Sequence, residues 1–210
     1  RYDLLAFHEV WAGLLIALSL ALWRPGRWVE SVAIALCAMT LRETAALYPL
    51  VMLGAAMVTG RRREALGWAL SLAVFTLLMA LHIRAWGQVT LPDDPTGPGW
   101  AAFLGPGFVV KTVAVETALA ALPLLLAAPI VALALAGWAA LDDAFASRAA
   151  LTLWAYAMLI ALFCRADTPY WGLMITPISL VGIVFVPDAL RDLLRAALDS
   201  RRVIVTRRVE

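Results

Sequence analysis

Long apolar runs broken by short charged turns fill the chain from residue 4 to residue 186. Runs of this length fit helices, since about 20 residues of helix cross the roughly 30 Å hydrocarbon layer of a bilayer. The pattern predicts helical spans over 4–23, 65–85, 118–141, 149–164 and 171–186. Between the first two lie shorter runs, 29–40 and 45–59, separated by Leu41-Arg42-Glu43-Thr44. Each is about 13–15 residues, or roughly 20 Å of helix. Together they are too long for one ordinary span, so a helical hairpin or broken helix is expected, with Arg42 and Glu43 at its tip. Ionisable groups at such depth are costly, and they pair or face a polar cavity.

Other segments punctuate the spans. Arg24-Pro25-Gly26-Arg27 and Gly60-Arg61-Arg62-Arg63 are turn signals. The segment 87–107 holds Pro92, Pro95, Pro98, Pro106 and Asp93-Asp94, which predicts a loop; 108–117 is expected as a short lead-in helix. Pro123 and Pro129 fall within 118–141, where membrane helices tolerate proline. Pro177 predicts a kink in the last span. Over 187–200, Leu190, Leu193, Leu194, Ala197 and Leu198 share one helical face opposite Arg191, Asp192, Arg195 and Asp199. That pattern fits a helix lying on a membrane surface, or one packed on a partner. The tail 201–210 is basic.

Composition settles the class. Of the 210 residues 63% are hydrophobic, with a mean hydropathy of +0.86, against about 45–50% apolar in soluble domains. The expected fold is all-α: a polytopic integral membrane bundle over 1–186, followed by an amphipathic helix and basic tail over 187–210. A net charge of +2 gives no bulk signal for nucleic acid. Cys37 and Cys164 sit in apolar runs at no metal-binding spacing and read as core residues. No cofactor is predicted, and a divalent metal stays open. The chain begins at Arg1, so the expectation is the later part of a larger membrane domain, with earlier helices or a partner subunit completing it.

Charge assigns sides. With loops alternating, one side receives the turns at 24–27, 61–63 and 142–148 and the C-terminal segment, holding 12 of the 17 basic residues; the other side receives 5. The positive-inside rule puts the first group in the cytoplasm, with the C-terminus. His8, Glu9, Arg42, Glu43, His82, Arg84, Arg165, Asp167 and Tyr170 then all fall at the outer ends of spans. They offer a candidate substrate-binding set: His8, Glu9, Arg42, Glu43, Arg165, Asp167 and Tyr170. Arginines beside a lipid-facing groove suit phosphate or pyrophosphate through bidentate hydrogen bonds. A carboxylate can act as a general base or hold sugar hydroxyls, and aromatic faces suit sugar rings. Plainer readings stand beside this. Arg42–Glu43 closes a hairpin, His8–Glu9 marks an interface, and Arg165 and Asp167 are loop charges. His82 and Arg84 snorkel. No nucleophile triad, phosphate-cradling glycine loop or metal-ligand spacing is present.

Three stretches resemble bacterial polytopic glycosyltransferases of the GT-C superfamily. They are Phe7-His8-Glu9-Val10-Trp11-Ala12-Gly13-Leu14-Leu15, Thr40-Leu41-Arg42-Glu43 with the helix and basic turn after it, and Arg165-Ala166-Asp167-Thr168-Pro169-Tyr170-Trp171-Gly172 with its trailing Pro187-Asp188-Ala189-Leu190-Arg191-Asp192-Leu193. The resemblance implies transfer of a sugar from a polyprenyl-phosphate donor at the extracytoplasmic face of the bacterial cytoplasmic membrane. It implies donor-phosphate or cavity roles for Arg42, Glu43 and Arg165, with Glu9 nearby. The family's key acidic residue follows its first span, and no residue here matches that position, so the catalytic residue is unassigned. Two other classes fit the same features: a transporter or lipid flippase, built on a broken helix with charged residues, and a non-catalytic membrane subunit.

Overall fold

The computed structural model describes residues 6–91, 94, 97, 99–100 and 102–198. Among these there is no strand; the only β-type pairing is an isolated bridge between Arg24 and Arg27 in the first turn. The helices are α1 (His8–Leu22), α2 (Val29–Leu41), α3 (Leu47–Val58), α4 (Arg62–Trp86), α5 (Gly105–Val115), α6 (Leu124–Ala140), α7 (Ala144–Phe163), the four-residue α8 (Thr176–Ser179) and α9 (Val186–Leu198). Of these, α4 (25 residues) and α7 (20 residues) are long and apolar enough to cross a membrane.

The expected break forms at Arg42. Its backbone is extended (φ −146°, ψ 120°) between α2 and a 3₁₀ turn, Glu43–Ala46, that leads into α3. The apex is pinned from two directions. The Tyr156 hydroxyl of α7 donates to the Thr44 carbonyl (3.0 Å), and the Thr44 hydroxyl donates to Met174 Sδ (3.1 Å). α2 packs chiefly on α1 and α3 on α4 and α7, while α4 also touches α2 and so spans both arms. Inside, the Ser19 hydroxyl bonds the hydroxyls of Ser31 and Tyr48 (both 2.9 Å), and all three residues are buried. These polar groups satisfy one another within an apolar core.

Two expected spans take another form. The run 118–141 is not one helix. It divides into a 3₁₀ turn, Ala118–Ala121, and α6, which starts after Pro123. Pro123 has no N–H to continue a helix, and Thr117 caps the turn by accepting from the Leu119 N–H (3.3 Å). Pro129 is accommodated inside α6. The run 171–186 is not a kinked helix either. It winds as 3₁₀ Pro169–Met174, α8, then 3₁₀ Leu180–Phe185. The tighter winding brings Gly182 against α6 so closely that a Cβ there would lie 1.9 Å from the Ala134 carbonyl oxygen.

The first span is also shorter than expected, since α1 begins at His8. The 149–164 span starts earlier, at Ala144, where the Asp143 carboxylate accepts from the N–H groups of Phe145 and Ala146. In the loop after α4, Asp94 accepts from the Leu91 N–H (2.8 Å), while Pro92, Asp93, Pro95 and Pro98 lie outside the described residues. The amphipathic helix forms as α9 with no buried residue, and its expected partner face, Leu190, Leu193, Leu194 and Leu198, is exposed. The basic tail from residue 199 lies outside the described residues.

Candidate functional site

At one end of the bundle, the start of α1, the α2–α3 apex and the loop after α7 converge. Gly13 allows this. A Cβ there would sit 2.5 Å from the Leu173 carbonyl oxygen, so only glycine lets α1 lie against the 3₁₀ segment 169–174. The contact brings Phe7 against Tyr170 (ring centroids 5.3 Å apart) and presents Glu9 to the apex. Glu9 is buried, and its Oε1 lies 3.0 Å from Arg42 Nε. Arg42 also reaches Glu43 Oε1 at 3.4 Å. Its Nε is buried and makes no aligned hydrogen bond, so Glu9 holds it chiefly by charge.

The loop after α7 is the tight turn expected. Thr168 N–H donates to the Arg165 carbonyl, and Arg165 N–H donates to Thr168 Oγ1, both at 3.0 Å. Arg165 Nη2 donates to Asp167 Oδ2 at 2.6 Å. Arg42 and Arg165 then line one open cavity of about 330 Å³ with Thr168, Tyr170, Trp171 and Trp100. Trp100 and Trp171 meet edge to face, 5.4 Å between centroids. Trp171 is buried, and its indole N–H has no partner within the protein.

Of the expected set, Arg42, Arg165 and Tyr170 reach this cavity directly. Glu9, Glu43 and Asp167 belong to it as partners of its arginines. His8 does not line it. With Glu43 and His82, His8 faces a neighbouring cavity of about 460 Å³ between α1, the end of α2 and α4. Among the described residues no group of three or more His, Cys, Asp or Glu is placed to hold a metal ion.

Sequence reasoning did not single out two features. Trp100 comes from the proline-rich loop, whose composition says nothing about where it folds back. The second is an ionic cluster at the opposite end. Glu64 and Arg148 are both 2% exposed and pair at 3.4 Å. Trp23 Nε1 donates to Glu64 Oε1 at 2.9 Å, and Arg61 Nη1 lies 3.6 Å from Glu64 Oε2. Arg148 stacks on the Trp23 ring at 3.9 Å. Arg61 and Arg148 had looked like ordinary turn charges. The available signal was Glu64, the one acid beside the Arg61-Arg62-Arg63 run. No family model, no curated protein and no solved structure matches the chain.

Proposed function

We propose that the chain is an integral membrane glycosyltransferase domain that moves a sugar from a polyprenyl-phosphate donor to an acceptor at the extracytoplasmic face of a bacterial cytoplasmic membrane. The observation that carries this reading is the pairing of Arg42 and Arg165 with three aromatic rings around one open cavity. Each arginine side chain is about a quarter exposed, and the Nη groups that the carboxylates leave unpaired are donors for a phosphate. Arg42 and Arg165 neutralise the donor phosphate. Glu9 and Glu43 orient Arg42, and Asp167 orients Arg165. Tyr170, Trp171 and Trp100 provide faces for the sugar.

Transport calls for polar groups along a path through both halves of the bundle. The interior here is apolar around Ile16, Met52 and Leu153, and the buried Ser19, Ser31 and Tyr48 hydroxyls bond one another. The far end is closed by the buried Trp23–Glu64–Arg148 cluster. Both features favour transfer. In this reading the basic end faces the cytoplasm, and α9 lies along that membrane surface on its leucine face.

The test uses membranes carrying the full-length protein, incubated with radiolabelled polyprenyl-phosphate sugars. Wild type moves label to an acceptor and Arg165→Ala does not. Undiminished transfer by Arg165→Ala removes Arg165 from the site. Movement of labelled lipid between leaflets of reconstituted vesicles, with no transfer from any donor, replaces the reading with transport.

A further inference from the structure

A groove of about 680 Å³ runs between α3 and α7, following α7 from Ala144 to Met158, a path of about 20 Å. Its walls are apolar and open outward: Leu151, Trp154 and Met158 are half exposed, and Val58 is almost fully exposed. One end differs. Arg148 lines it there, and Arg148 belongs to the cluster in which two guanidiniums, Arg61 and Arg148, share the single Glu64 carboxylate. That leaves one positive charge in excess. Arg148 is sealed within the cluster, while Arg61 keeps about a third of its side chain exposed. Arg62 and Arg63 stand exposed just beyond the same end.

A long apolar trough that ends in unbalanced positive charge has the shape and polarity of one ligand class, an anionic amphiphile. We propose that this groove binds an anionic phospholipid, with one acyl chain along α7 and the phosphate at Arg61–Arg63. It is a separate site from the Arg42–Arg165 cavity, at the other end of the bundle. The proposal rests on placement of the bundle in a bilayer and not on sugar transfer, so the two can fail independently.

Gly54 supplies the test. It lines the groove, and a Cβ added there meets nothing within 4 Å, so Gly54→Leu starts from open space and projects its side chain into the trough. The full chain, purified in detergent, is mixed with equal amounts of palmitoyl-oleoyl phosphatidylglycerol and phosphatidylcholine, and retained lipid is counted by native mass spectrometry. Wild type is expected to keep phosphatidylglycerol preferentially. Gly54→Leu is expected to lower that retention by about tenfold, since each displaced methylene weakens a lipid's hold. Arg62→Gln/Arg63→Gln should erase the head-group preference while leaving the groove intact. Leu77→Trp, on the exposed flank of α4, is the control and should change nothing. Equal retention of the two lipids by wild type overturns the proposal. So does wild-type retention by Gly54→Leu, or an equal loss in Leu77→Trp. If Gly54→Leu does not keep the wild-type thermal transition, the arginine pair decides alone.

Discussion

Each end of the bundle holds arginines against carboxylates, and the two sets differ in what surrounds them. At the Glu64 end both partners are 2% exposed, an indole donates to the carboxylate, and a ring covers the guanidinium. At the Arg42 end the arginines are about a quarter exposed and open on a cavity. The same chemistry therefore serves two purposes. A sealed pair has given up its water, so removing one partner leaves a stranded charge; an open arginine keeps hydrogen-bond capacity for something that arrives. Proximity of opposite charges does not mark a site. Unspent donors beside accessible space do.

This contrast can be broken at four places. Arg148→Met should have the largest effect, a loss of about 3–5 kcal/mol, because Glu64 stays buried without its main partner. The double variant Arg148→Met/Glu64→Leu should recover much of that. Unfolding in detergent reads both, and an unchanged Arg148→Met would place the cluster among dispensable contacts. Next comes Arg165→Lys, which keeps the charge but loses the two-pronged donor geometry. Transfer should fall roughly ten- to a hundredfold, in line with a charged hydrogen bond worth about 1.5–3 kcal/mol. Its melting temperature should stay within about a degree or two of wild type, because exposed charges contribute little to folding. Turnover equal to wild type would end the phosphate role of Arg165.

Arg42→Met sharpens the comparison, because Arg42 is open on one side and tied to buried Glu9 on the other. It should cost about 1–3 kcal/mol of stability as Glu9 loses its partner, and Glu9→Gln added to it should restore most of the loss. Stability unaffected by Arg42→Met would show that Glu9 has no need of it. Asp143→Ala gives the smallest effect, about 1 kcal/mol, from the lost cap of α7. A loss as large as that of Arg148→Met would mean that exposed and buried acids at that end act alike.

The helical class and the break at Arg42 were legible because two charges interrupting an apolar run admit few other structures. The convergence of Glu9, Arg42 and Arg165 at one end followed from alternating the loops, an argument that needs only where each run stops. The Glu64–Arg148 cluster was not legible, since charges beside turns are ordinarily solvated and nothing in one sequence separates a buried turn charge from a wet one. Nor was the 3₁₀ winding of 169–185. Apolar content there matches a span, and the close approach of Gly182 to the Ala134 carbonyl that accompanies the tighter coil leaves no periodic signal in the sequence. His8 was grouped with Arg42 because both sit at run ends, which fixes their level but not the side of α1 from which each projects.

The unequal helix lengths carry a mechanical consequence. α4 runs for 25 residues, about 37 Å, beside α2 and α3 of 13 and 12 residues, about 18–20 Å. In the membrane setting proposed above, a bilayer around this bundle cannot match both flanks at one thickness. Tilting accommodates the long helix, and local thinning the short ones, at a cost of a fraction of a kcal/mol per Å. In that setting the short flank is the hairpin whose apex carries Arg42. Under the proposed transfer reaction, a lipid phosphate arriving on that flank would cross less hydrocarbon, and the wedge shape would shorten its approach to the cavity.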